Sequence, residues 1–118
     1  MKVGVALATT FLSEPLEVIR YKNEEELFKR LKTIIESHNI ERIVVGESQH
    51  ESKQLAHEFG EKLKNIMNIE VVYSDENLTS KQAQILSFQV GIKKSKRKEM
   101  EDAYAASIML QEYLDTVA

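Results

Sequence analysis

Two adjacent carboxylates, Asp75 and Glu76, follow the apolar run at residues 69–73. The run is short, β-branched and aromatic, as expected of a buried parallel strand, and Thr79 with Gln82 resembles a capping box for a following helix. In open α/β sheets, ligands gather in the crevice beyond the carboxyl ends of the strands. We therefore expect one of the two acids to face a site there and the other to point away, because neighbouring side chains at a strand end face opposite sides.

A third carboxylate, Asp102, begins the small-residue run at 102–106 in a helix predicted over about residues 97–116. Small residues let a helix approach its neighbour closely, so this helix could carry Asp102 toward the strand end that holds Glu76. Mg²⁺ is usually bound through one or two carboxylates together with waters and substrate phosphate. Glu76 and Asp102 are thus candidate ligands of a divalent cation, although the helix dipole alone also favours an acid at the position of Asp102.

A basic segment precedes that carboxylate in a chain whose net charge is −3. It consists of Lys93, Lys94, Lys96, Arg97 and Lys98. Like charges so close together repel one another, and positive charge at a helix start opposes the helix dipole. Most such segments are solvated loops and helix starts, but these two effects raise the odds of a phosphate partner, so the segment is a candidate nucleic-acid contact.

Length and composition favour one compact domain over residues 1–118, since 42% of the 118 residues are apolar. The chain contains no cysteine, which excludes disulfides and thiolate metal sites. No apolar run approaches the roughly 20 residues of a membrane span, and the sequence starts directly in a strand-like segment. We expect a cytoplasmic protein with no membrane partner.

Hydrophobic periodicity predicts alternating strands and helices. Strands are expected at residues 3–8, 16–20, 42–46 and 69–73, and helices at about 24–39, 53–67, 83–90 and 97–116. The first two strands are close in sequence and should form an antiparallel hairpin, and the later alternation favours βαβ units in a mixed sheet covered by helices on both faces. The histidines lack metal-ligand spacing, so His38 and His57 are interpreted as surface residues and His50 as a weak candidate for an active-site loop.

Six segments in this order resemble those of the YqgF (RuvX) family, and the likeness covers nearly the whole chain. They are residues 3–7, 14–19, 41–46, 75–79, 96–98 and 102–114. The family comprises ribonuclease H-like proteins known as Holliday junction resolvases and pre-16S rRNA nucleases. The resemblance implies a five-stranded mixed sheet with helices on both sides, and phosphodiester hydrolysis that depends on Mg²⁺ or Mn²⁺. It assigns the metal to Glu76 and Asp102, and it implies rRNA precursor or branched DNA as the partner, with a homodimer left open.

Three departures from the family pattern bear on this expectation. The family's opening strand, which carries a first metal-binding aspartate, has no counterpart here. We expect a coding sequence that starts further upstream than Met1; the alternative is a truncated form that must rearrange or pair with another chain. Asn77 replaces the arginine of the family's Asp-Glu-Arg motif, and residues 47–52 differ from the usual loop. Two other functions therefore stay open: a catalytically impaired nucleic-acid or ribosome-associated binding module, and a small α/β scaffold protein.

Overall fold

The computed structural model describes residues 1–47, 53–75 and 94–117, and the side chains in those ranges except Lys53, Asp75 and those of residues 94–98. Four strands and three helices lie in these ranges. The chain divides into two compact units. The hairpin unit comprises Met1–Arg20 and Asn77–Ala118, and the βαβ unit comprises Tyr21–Glu76. The helix predicted at 83–90 lies outside the described residues.

In the hairpin unit, strand β1 (Lys2–Leu7) pairs antiparallel with strand β2 (Glu14–Arg20), which confirms the predicted hairpin. The register shifts between Val5 and Ala6, where β2 accommodates one extra residue as a bulge. A long helix, α3 (Lys94–Val117), packs on both strands. The core of this unit consists of Leu7, Ile19, Ala103, Tyr104, Ile108 and Met109, all buried.

The βαβ unit begins with helix α1 (Glu24–His38), whose ends match the sequence prediction. The Asn23 side chain accepts a hydrogen bond from the Glu26 amide at 2.9 Å, and Glu26 in turn accepts one from the Lys22 amide. Asn39 ends the helix in the left-handed conformation, with φ 51°. Both ends of α1 are therefore specified locally by side chains that satisfy its terminal backbone groups.

Strand β3 (Arg42–Glu47), helix α2 (Lys53–Met67) and strand β4 (Glu70–Asp75) complete this unit as a parallel βαβ element. Arg42 pairs with Glu70 at one end and Glu47 with Asp75 at the other, so both strands end at the same edge of their sheet. Helix α2 packs on these strands. It also contacts α1 through a ring stack of Phe28 on Phe59 and through an ion pair between Lys62 and Glu24.

The strands form two separate two-stranded sheets in the described ranges, where the sequence predicted one mixed sheet. The elements themselves follow the prediction, with a hairpin first and a βα unit after it. No described strand joins the β1–β2 sheet to the β3–β4 sheet. Among the described helices, none is long and apolar enough to cross a membrane.

Candidate functional site

Asp102 lies in α3 where that helix crosses β1 at Gly4. A Cβ atom built on Gly4 would overlap the Asp102 carbonyl group and come within 2.7 Å of the Ala103 nitrogen, so the two backbones touch. The Asp102 Oδ2 atom lies 3.2 Å from Nζ of Lys2. The Asp102 side chain is nevertheless 41% exposed and that of Lys2 51%. The backbone of Asp102 is therefore held by packing while its carboxylate stays accessible to solvent.

The loop between β1 and β2 fixes the position of α3 along the hairpin. The Ser13 hydroxyl donates to the carbonyl oxygen of fully buried Ser107 at 2.6 Å, and the two hydroxyl oxygens lie 3.0 Å apart. Gln111 accepts from the Ser13 amide at 2.9 Å and donates to the carbonyl oxygen of Phe11 at 3.0 Å. These bonds lock the helix against sliding, which also sets where Asp102 meets the strand.

A second cluster lies at the carboxyl edge of the β3–β4 sheet in the βαβ unit. Glu47, the last residue of β3, is 8% exposed, and its Oε1 atom lies 2.7 Å from Nε2 of His57 on α2. The His57 ring stacks on Tyr73 of β4, with centroids 4.0 Å apart and planes 10° from parallel. A buried carboxylate needs such a partner because desolvation without one is costly. The cluster therefore holds an imidazole in one orientation next to the strand ends.

Tyr73 completes the cluster through its hydroxyl group, which donates to the His57 carbonyl oxygen at 3.3 Å. Partial burial, then the charge and hydrogen bonding of Glu61 and the charge of Glu47, raise the pKa of Tyr73 above its ordinary value. The phenol thus stays protonated and remains a donor at neutral pH. Gly60 makes room for this ring, since a Cβ there would lie 2.6 Å from Tyr73 Cε1.

The structure describes only some of the residues selected from the sequence. Glu76, Lys93, His50 and Asn77 lie outside the described residues. Residues 94–98, which contain the rest of the basic segment, form the start of α3, three residues earlier than predicted. In the ranges 1–47, 53–75 and 94–117, no three His, Asp or Glu side chains form a group that could hold a metal ion.

Sequence reasoning missed three residues of these two clusters. Lys2 was not selected, because nothing local reveals that the first strand places it beside Asp102. Glu47 was treated only as part of a divergent loop, and His57, which is exposed as predicted, was not expected to pair with it. The spacing of ten residues from a strand-ending acid to a histidine in the second turn of the next helix is the signal that could have found the pair.

Comparison with known proteins relates the sequence of this chain to one family. A family model described as "RuvX: Holliday junction resolvase" matches residues 1–116. A protein from Caldanaerobacter subterraneus is 32% identical over 97% of this chain and 88% of its own length. One from Streptococcus uberis is 33% identical over 96% of this chain and 89% of its own length. Both carry the name "Putative pre-16S rRNA nuclease", as does a protein from Lactococcus lactis subsp. lactis with 32% identity.

Proposed function

This chain belongs to the RuvX family, and we propose that it is a metal-dependent endonuclease that hydrolyses phosphodiester bonds in structured nucleic acid. The substrate is the 5′ region of a pre-16S rRNA or a Holliday junction-like DNA, and the protein acts in the cytoplasm. The proposal includes a ribonuclease H-like domain over residues 1–118. It is supported most directly by Asp102, whose backbone is fixed against Gly4 while its carboxylate is accessible.

Asp102 and Glu76 are the proposed ligands of the cation. A half-exposed carboxylate is the oxygen donor that Mg²⁺ and Mn²⁺ prefer, and the ion pair with Lys2 is exposed enough to open at little cost. Glu76 is the next residue in sequence after Asp75, the last residue of β4. When bound, the cation supplies positive charge that activates water and stabilises the leaving oxygen. Lys2, once released, can pair with a substrate phosphate.

Cleavage assays with substituted acids test this proposal. The purified chain is incubated with Mg²⁺ or Mn²⁺ and either a pre-16S rRNA fragment or a four-way DNA junction. Glu76→Gln and Asp102→Asn should each reduce the cleavage rate at least about 100-fold, because each removes charge that the transition state needs. Glu101→Gln is the matched control, since it removes one negative charge from the exposed neighbour of Asp102.

Two results would contradict the assignment. If both variants cleave like the unmodified chain, the acids are not the site. If Glu101→Gln loses as much activity as Asp102→Asn, the effect comes from general charge on α3 and not from ligation. Cleavage of the RNA but not of the junction, or the reverse, would decide the substrate class.

The basic segment is proposed to contact substrate phosphates. Replacing Lys93, Lys94, Lys96, Arg97 and Lys98 by Gln should reduce the slope of log affinity against log salt by up to about 0.9 per lost contact on duplex DNA. Lys29→Gln with Lys32→Gln, both exposed on α1, should leave that slope unchanged. Equal slopes for the five-residue variant and the unmodified chain would exclude these side chains from the interface.

A further inference from the structure

The Glu47–His57 pair has the geometry of an imidazole prepared for proton transfer. Glu47 is buried at the end of β3, and its Oε1 atom lies 2.7 Å from His57 Nε2. The His57 side chain is 46% exposed, so its ring is oriented from inside while it remains in contact with solvent. The stack on Tyr73 and the bond from the Tyr73 hydroxyl to the His57 backbone hold the ring plane and the helix together.

This arrangement determines which nitrogen of His57 can react. An ionised Glu47 only accepts hydrogen bonds, so Nε2 must carry the hydrogen and donate it. In the neutral ring the lone pair is then on Nδ1, which has no hydrogen-bond partner among the described residues. A proton taken up at Nδ1 creates an imidazolium that the Glu47 carboxylate stabilises. A carboxylate, an oriented imidazole and a free basic nitrogen are the parts of a general base.

The location of His57 fits the same role. Glu47 and Asp75 are register partners at the carboxyl ends of parallel strands, and Glu76 is the next residue in sequence. We infer that His57 is a catalytic general base of the phosphodiester hydrolysis, positioned by Glu47 and Tyr73. This inference rests on the proposed nuclease function and adds to it a group that removes a proton from the nucleophile.

In the proposed step, water attacks phosphorus while His57 acts as the base. As the oxygen of the attacking water forms its bond to phosphorus, His57 Nδ1 takes the proton of that water. The bond from phosphorus to the leaving oxygen breaks, its electron pair stays on that oxygen, and the oxygen takes a proton from solvent. The imidazolium then returns its proton to solvent, which restores the neutral base. No oxidant, reductant or second substrate is required.

The rate of phosphodiester cleavage should therefore depend on pH, because His57 acts as a base only when its Nδ1 atom is unprotonated. Among the described residues, the titratable groups that face the ring are Glu47 from β3 and Tyr73 from β4, with Glu61 of α2 beside the Tyr73 hydroxyl. A proton on Nδ1 removes the base, so the rate should fall on the acid side of its pH profile.

The test compares His57→Ala with His38→Ala, which alters an exposed histidine near the end of α1. His57→Ala should lose about 100-fold or more in cleavage rate at neutral pH and lose the acid-side fall of the rate. Added imidazole should restore part of that rate. His38→Ala should match the unmodified chain at every pH. Nitrogen NMR of the metal-free protein should show the tautomer with hydrogen on Nε2.

Other outcomes overturn the inference. A His57→Ala variant with the unmodified rate and pH profile excludes a catalytic role, while the nuclease proposal survives as long as the unmodified chain cleaves. If His57→Ala loses rate, is not rescued by imidazole and keeps the acid-side fall, then His57 has only a structural role. NMR that places the hydrogen on Nδ1 would lead to the same conclusion. If the unmodified chain cleaves neither substrate with either metal ion, the function and the inference both fail.

Discussion

In both the hairpin unit and the βαβ unit, a helix packs on strands and thereby positions a charged side chain. The packing contact is made by backbone atoms in the first unit and by side-chain atoms in the second. In the hairpin unit the backbones meet at Gly4 and Asp102, which leaves the Asp102 carboxylate half exposed. In the βαβ unit the contact is made by side chains, with Glu47 paired to His57 and Tyr73 filling the space above Gly60. A backbone contact fixes where a group is, whereas a side-chain contact also fixes its orientation and its hydrogen bonds.

Gly4→Ala tests the backbone contact and should have the larger effect. The added methyl group would overlap the Asp102 carbonyl and the Ala103 nitrogen, and neither can move without shifting α3. Overpacking of this kind should lower the free energy of unfolding by about 3 kcal/mol. Urea titration followed by circular dichroism measures the change. A loss below about 1 kcal/mol would mean that helix and strand are further apart than described.

Gly60→Ala tests the side-chain contact and should have the smaller effect. Its methyl group would meet only the end of the Tyr73 ring, which can tilt away. Alanine also gains about 1 kcal/mol over glycine inside a helix, and this gain offsets the displacement of the ring. The free energy of unfolding should therefore stay within about 1 kcal/mol of the unmodified value. If Gly60→Ala is as damaging as Gly4→Ala, the distinction between the two contacts is wrong.

Local signals in the sequence were sufficient for most elements of the fold. The bounds of α1 follow from Asn23 and Asn39, and the apolar stripe of α2 predicted residues 53–67 correctly. The start of α3 was placed three residues late, because lysines at a helix start give no capping signal. Helix caps and hydrophobic periodicity depend on residues that are close together in sequence, so they can be recognised from a single sequence.

The candidate clusters were predictable only in part, since they depend on contacts between distant segments. Asp102 was selected from its small-residue neighbours, but the need for glycine at position 4 was not, because the two residues are 98 positions apart in sequence and their contact depends on how α3 crosses β1. His57 was missed for a similar reason. Its role depends on Glu47, which looks like an ordinary charged residue until the strand and helix are packed together.

The proposed nuclease function requires, above all, that Asp102 and Glu76 bind a single catalytic cation. Mn²⁺ binding to the unmodified chain, Asp102→Asn, Glu76→Gln and the double variant tests it by isothermal titration calorimetry. Since loss of an outer-shell partner already costs about 10- to 100-fold in metal affinity, each single variant should lose at least tenfold, and Glu101→Gln should lose none. The double variant should lose less than the two single losses combined, because one ligand alone barely holds the ion. Unchanged Mn²⁺ affinity in Asp102→Asn, or two independent and additive losses, would contradict a shared site.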